Sequence, residues 1–152
     1  MKRIRNLMGR NFRRQRNPDT LSIKKRSTLM SRVRSKNTSF EKQFFKLLKQ
    51  TVPIKFKTHV TFLVGKPDVV FDIQKVCLFV DSDFWHGWQY PRWKHLLKND
   101  FWRNKIERNR KRDMAVSRYL RSAGWKVIRI WEHQLKLNPS LVIKKIIEVI
   151  GD

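Results

Sequence analysis

The stretch Lys66-Pro67-Asp68-Val69-Val70-Phe71-Asp72, followed by Val76-Cys77-Leu78-Phe79-Val80-Asp81-Ser82-Asp83-Phe84-Trp85-His86, decides how this chain is read. Two apolar runs are joined by a short link, and carboxylates stand where the first begins and the second ends. Such runs predict strands, here a hairpin turning about Gln74 and Lys75. That register sets Asp68 opposite Asp81, with Cβ atoms roughly 4.5–5.5 Å apart. The spacing suits one hard cation shared by two carboxylates. Mg²⁺ in particular keeps several waters and takes phosphate oxygens as further ligands. Either acid alone reads more simply as a turn or strand-end carboxylate serving backbone donors. The two in register, in so basic a chain, favour a metal site formed by Asp68 and Asp81.

The chain has 152 residues, enough for one domain with a real core. Lys and Arg number 36 against 12 Asp and Glu, a net charge of +24. A field of that strength points to a polyanion, nucleic acid first and an acidic membrane surface second. Ten Phe, six Trp and 40% hydrophobic residues argue against disorder over the whole length. No apolar run approaches the ~20 residues of a spanning helix. The basic opening MKRIRNLMGRNFRRQR has no apolar segment of a signal peptide behind it. The single cysteine, Cys77, sits inside an apolar run, which leaves neither a disulfide framework nor a cysteine-rich zinc site. A cytoplasmic protein with no membrane partner is the expectation.

Residues 1–36 carry 13 Lys and Arg against one acid, Asp19. This reads as a basic arm that orders on a polyanion, with a solubilising tail as the bland alternative. Thr38 and Glu41 fit a capping box opening a helix that carries Phe44, Leu47 and Leu48. Ile54 to Phe62 alternates and predicts a strand before the hairpin. Phe84 to Lys98 reads as an aromatic loop. Asn99 or Asp100 caps a long helix to about Ser122, closed by Gly124. Lys126 to Trp131 is a further strand, and Pro139 starts a final helix with a core stripe of Leu141, Val142, Ile146, Ile147 and Ile150. The order helix, three strands, helix, strand, helix predicts an α/β fold, a mixed central sheet with helices on both faces.

Beyond the aspartates, His86 offers an imidazole suited to proton transfer near neutral pH, although a lone His is as readily a packing residue. Asn109 and Asp113 share one face of the long helix, i and i+4, among Arg108, Arg110 and Arg112. Asp113 is either the partner of a neighbouring arginine or the carboxylate that orients a histidine. Phe84, Trp85, Trp88, Tyr90, Trp93, Phe101 and Trp102 form a dense aromatic set. Most belong in a core, while Phe84 and Trp85, at a strand exit, are placed to stack on bases or wedge into a duplex step. Trp125 and Trp131 read as structural.

Five pieces of the chain resemble the very short patch repair (Vsr-type) DNA mismatch endonucleases, within the restriction-endonuclease-like superfamily. They are Met30 to Thr38 with Glu41, Gly65-Lys66-Pro67-Asp68, Phe79 to His86, Phe101-Trp102 through Asn109 to Asp113, and Gly124 to Glu132. The resemblance implies one restriction-endonuclease-like domain over residues 27–152 behind a basic arm at 1–26. It implies a monomeric enzyme of the bacterial nucleoid that nicks double-stranded DNA beside a T:G mismatch, using Mg²⁺. Carried over by position, Asp68 and the Val80 carbonyl bind metal, His86 is the general base and Asp113 orients it. Glu41 and Asn109 organise water around cation and phosphate. Phe84, Trp85 and Trp102 enter the stack, Met30 inserts from the opposite groove, and Arg108 and Arg112 meet the backbone. Better-known members hold a structural zinc. Asp83, Trp88, Tyr90 and His133 stand where its ligands are expected, which predicts no structural zinc here. Asp81 stands where some relatives have histidine, and the hairpin register favours its direct part in metal binding. A nuclease of a mobile element or restriction system with another target, and a non-catalytic basic binder, are the alternative readings.

Overall fold

In the computed structural model, which describes residues 39–151 together with Lys25, the two apolar runs form the expected antiparallel hairpin. The rest of the basic arm at 1–26, Met30 and Thr38 lie outside the described residues. The hairpin strands are β2 (Val69–Phe71) and β3 (Val76–Asp81), preceded by helix α1 (Ser39–Thr51) and the short strand β1 (Lys57–Thr58). A short helix α2 (Tyr90–Trp93) and a 3₁₀ turn (Lys94–Leu96) follow β3. Then come α3 (Asp100–Ser122), β4 (Lys126–Trp131), α4 (Glu132–Leu137) and α5 (Pro139–Gly151). The sheet order is β1-β2-β3-β4, with β1, β2 and β3 antiparallel and β4 parallel to β3. A parallel pair needs a long crossover, which α2 and α3 supply. The fold is therefore the mixed sheet flanked by helices that the resemblance implies.

The register differs from the expected one. Val69 pairs with Leu78 and Phe71 with Val76, so one further step sets Phe79, not Asp81, across from Asp68. The cause is the turn. Four residues, Asp72 to Lys75, separate the strands instead of two. Lys75 adopts a left-handed conformation (φ 54°) and its N–H reaches the Asp72 carbonyl at 3.4 Å. Four-residue loops built on a turn are a common hairpin solution, and they shift the register by two relative to the tight turn.

Alternation along β2 and β3 feeds two cores. Val69, Phe71, Val76 and Leu78 face Phe44 and Leu48 of α1 and Ile143 and Ile146 of α5. Val70, Cys77 and Phe79 face the other way, against Val116 and Leu120 of α3. Each such Leu, Ile or Phe contributes about 1.5–3 kcal/mol relative to exposure. Asn99 caps α3 by accepting the Phe101 N–H at 2.8 Å, and Gly124 follows its end at φ 82°. Three expectations are corrected. The run Ile54–Phe62 pairs as a strand only at Lys57–Thr58, because His59 turns left-handed (φ 53°) and turns follow. The α5 stripe uses Ile143, while Leu141 and Ile147 are exposed. The segment Phe84–Lys98 holds α2, and α4 is a helix the sequence pattern did not show. No described helix is long and apolar enough to cross a membrane.

Candidate active site

The site forms where β3 runs out. Asp68 stands just before β2, its own N–H bonded to the Leu78 carbonyl at 2.9 Å. Its carboxylate accepts the Val80 N–H at 2.7 Å, so this side chain takes up the strand ladder where β2 leaves it. Asp68 and Val80, two of the expected metal ligands, are thus adjacent. Asp81 makes a different contact. Arg129 of β4 meets both its oxygens, Nε to Oδ2 at 2.5 Å and Nη2 to Oδ1 at 2.7 Å. Asp81 is 2% exposed, so the fork holds a carboxylate with almost no access to water. Removing one partner of such a pair costs about 3–5 kcal/mol, because the other charge stays buried. The expected register does not form, and Asp81 sits in a buried ion pair.

His86 lies in the turn after β3, its Nδ1 2.6 Å from Asp113 Oδ2 on α3. The orienting role expected of Asp113 has the required geometry. Burial opposes the charge on Asp113. Hydrogen bonding from His86 and the fields of Arg129, His86 and Arg112 outweigh it and hold its pKa below the ordinary carboxylate value. Arg129 is buried too, which disfavours its charge. Its bonds to Asp81 and the fields of Asp81, Asp113 and Asp68 raise its pKa above the usual guanidinium range. Gly87 (φ 70°) lets this turn lie against α3, since a Cβ there would stand 2.8 Å from Arg110 and 3.0 Å from Ile106. A cleft of about 610 Å³ opens beside the pair, lined by Asp81, His86, Asp113 and Arg129 and by further arginines of α3. Asp68 is not part of that lining.

Other expected residues are distributed around this centre. Asn109 donates to the Trp85 carbonyl at 3.0 Å, which ties the turn carrying His86 to α3. Trp85 packs on Trp102 (5.5 Å between ring centroids), and the Lys105 ammonium lies 5.3 Å over its ring. Phe84 instead stacks on Trp93 at 17° and joins a small core with Tyr90, Leu97 and Ile106. Glu41 is buried in the first turn of α1. Arg108 and Arg112 are exposed on α3, Arg112 also 3.3 Å from Asp113. Arg129 and Ser117 were not singled out from the sequence.

Of the four positions discussed for zinc, Asp83, Trp88 and His133 come together. His133 Nδ1 is 2.7 Å from Asp83 Oδ1, and the Trp88 ring lies 4.7 Å from the His133 ring and 4.9 Å from Trp131. Tyr90 turns to Trp93 and to Glu107, 3.2 Å from its hydroxyl. Among the described residues no group of three or more His, Cys, Asp or Glu converges on one point. A cation beside Asp68 and the Val80 backbone would therefore draw most of its ligands from water and phosphate. That donor set fits Mg²⁺, which dehydrates reluctantly and needs few protein ligands. It does not fit a zinc held by four protein nitrogens and sulfurs.

The chain matches the family described as DNA mismatch endonuclease Vsr over residues 18–92. It is 41% identical over 119 residues to the type II nicking enzyme V.XorIIP of Xanthomonas oryzae pv. oryzae, covering 77% of this chain and 86% of the relative. It is 33% identical over 136 residues to the type II nicking enzyme V.NmeDIP of Neisseria meningitidis serogroup C, covering 88% of this chain and 91% of the relative. It is 29% identical over 124 residues to the DNA mismatch endonuclease Vsr of Escherichia coli, covering 81% and 79%. These relatives set aside the reading as a non-catalytic binder.

Proposed function

The chain belongs to the Vsr family of DNA mismatch endonucleases and is a DNA endonuclease, and from that premise we propose that it nicks duplex DNA at or beside a T:G mismatch in an Mg²⁺-dependent repair reaction. The observation that carries this reading is the His86–Asp113 pair at 2.6 Å, set on a cleft at the end of β3, one strand end from Asp68.

With Nδ1 turned to Asp113, the other ring nitrogen of His86 is the one that accepts a proton from the attacking water. Asp113 holds the tautomer and stabilises the imidazolium that results. Asp68 and the Val80 carbonyl would hold the Mg²⁺, which when bound supplies polarisation of the scissile phosphate and stabilisation of the leaving oxygen. Asp81 serves as the counter-charge of Arg129 and does not touch the cation. Asn109 holds the Trp85 carbonyl, and Glu41, buried in the first turn of α1, would organise water around the cation. Hydrolysis leaves 5′-phosphate and 3′-hydroxyl ends. Trp85 and Trp102 form the edge that enters the stack, with Lys105, Arg108 and Arg112 meeting backbone phosphates. A mismatched step opens at lower cost, which makes deformability the basis of selection. The basic surface adds sequence-independent attraction that falls steeply with salt.

The description of several relatives as type II nicking enzymes supports a second reading, a nuclease of a restriction system with a different target. Nicking of matched and T:G duplexes, compared in Mg²⁺ and in EDTA, tests both. Mismatch-dependent, metal-dependent nicking is expected; equal cleavage of matched duplex favours the second reading. Asp68→Ala is expected to abolish nicking and leave duplex binding largely intact. Wild-type cleavage by that variant sinks the metal-ligand assignment.

A further inference from the structure

Two carboxylates lie within reach of one imidazole nitrogen. His86 Nδ1 is 2.6 Å from Asp113 and 3.5 Å from Asp81 Oδ1. A ring N–H serves one acceptor well, and that acceptor sets the plane of the ring and the direction of its second nitrogen. Nothing within His86 decides between the two. The Arg129 guanidinium touches both carboxylates. Its fork takes both oxygens of Asp81, and Nη2 also lies 3.4 Å from Asp113 Oδ2. Nη1 donates to the Asp113 backbone carbonyl and to Ser117 Oγ, each at 3.4 Å. The Phe79 ring lies under the guanidinium carbon at 4.9 Å. A planar fork fixed on so many sides is specific to arginine.

We propose that Arg129 is a positioning residue of the nicking reaction. By holding both oxygens of Asp81 it assigns the His86 N–H to Asp113, and so aims the second ring nitrogen at the attacking water. The proposal rests on the reading of His86 as the proton acceptor. Without the guanidinium, Asp81 is a bare, buried carboxylate. It then outcompetes the better-solvated Asp113 for the ring proton, and the ring turns.

Single-turnover nicking at saturating protein separates this from binding. Arg129→Gln is expected to slow it about 100-fold, the scale of a misplacement on the order of 1 Å, with duplex affinity unchanged. Asp81→Asn combined with Arg129→Gln removes the competitor together with the clamp, and is expected to regain at least about tenfold of that loss through the coupling of neighbouring sites. If Arg129 only braces the fold, the double variant is no faster per folded molecule than the single one, and the proposal is overturned. Should Arg129→Gln fail to fold, the neutral double variant stands alone. Nicking by it as slow as that of His86→Ala overturns the proposal.

A second readout needs no catalysis. In ¹⁵N correlation spectra of the imidazole, the His86 Nδ1–H signal is expected to respond to Asp113→Asn in the wild-type background. In the Arg129→Gln background it is expected to respond to Asp81→Asn instead. Unaltered dependence on Asp113 in both backgrounds overturns the proposal. If the wild-type protein nicks no duplex tested, the mismatch reading falls, and this ring measurement still decides the place of Arg129.

Discussion

Two carboxylate–histidine pairs lie at the exits of β3 and β4, and they are nearly identical as pairs. Asp113 and His86 meet at 2.6 Å, Asp83 and His133 at 2.7 Å. The His86 and His133 side chains are 23% and 24% exposed, so access to water does not tell them apart. Their surroundings do. The His86 pair is backed by a guanidinium and opens on a basic cleft within one strand end of Asp68. The His133 pair is covered by the rings of Trp88 and packs where β4 passes into α4, joining that junction to the second residue after β3. An imidazole with a fixed tautomer and a charged neighbour is equipped for proton transfer. One under an indole is a polar rivet. The lesson is that a carboxylate–histidine distance alone does not identify a catalytic pair; the third group behind it does.

The sharpest way to break this comparison is to change each carboxylate to its amide. Asp113→Asn keeps the shape and offers His86 the wrong hydrogen-bonding partner. Single-turnover nicking is expected to fall by about 10³–10⁴-fold, the cost of a wrong tautomer beside a general base. Asp83→Asn is expected to leave nicking per folded molecule unchanged and to lower stability by about 1–3 kcal/mol, the cost of a buried hydrogen bond left poorly made. Cys77 reports that loss directly. It is the single cysteine, fully buried under α3, and burial pushes its thiol up to about 11, against the smaller opposing pull of Arg121 and Arg129. Alkylation therefore proceeds through unfolding. It is expected to quicken in Asp83→Asn. Equal loss of nicking in the two amide variants would erase the distinction between the pairs.

Much of this was legible in the residues. The hairpin, the long capped helix and the two-sided sheet follow from apolar runs bounded by Pro, Gly and Asn, and the resemblance pointed to His86 and Asp113 as a pair, which meets in the fold. The register was not legible, because it depends on Lys75 taking a left-handed conformation that no Gly or Asn announces. Nor was α4, whose six residues follow β4 without a break and are too few for a periodic signal. Arg129 was missed because an arginine between Ile128 and Ile130 reads as the solvent side of a strand. The signal was present in the alternation. Val127 and Trp131 share its parity and are apolar, so a charge at 129 points inward and requires a partner. Asp81 supplies it, so the acid that the sequence set across from Asp68 is held by Arg129.

The smallest expected effect concerns how the His86–Asp113 pair ties charge to stability. The pKa of Asp113 is lower in the fold than in the free chain, mainly through the His86 hydrogen bond and the Arg129 field, which outweigh burial. A depressed carboxylate binds fewer protons folded than unfolded at intermediate acidity, so stability rises with pH through that range. The contribution is complete above the ordinary value of 3.8 and is lost as pH falls through the lower, folded value. Urea unfolding of wild type and Asp113→Asn, followed from pH 6 down to the acid limit of the fold, measures it as a difference. The wild-type advantage is expected to hold flat above that value and to shrink below it. An advantage that grew as the pH fell would mean that Asp113 is held in its protonated form, and that His86 takes its orientation from Asp81.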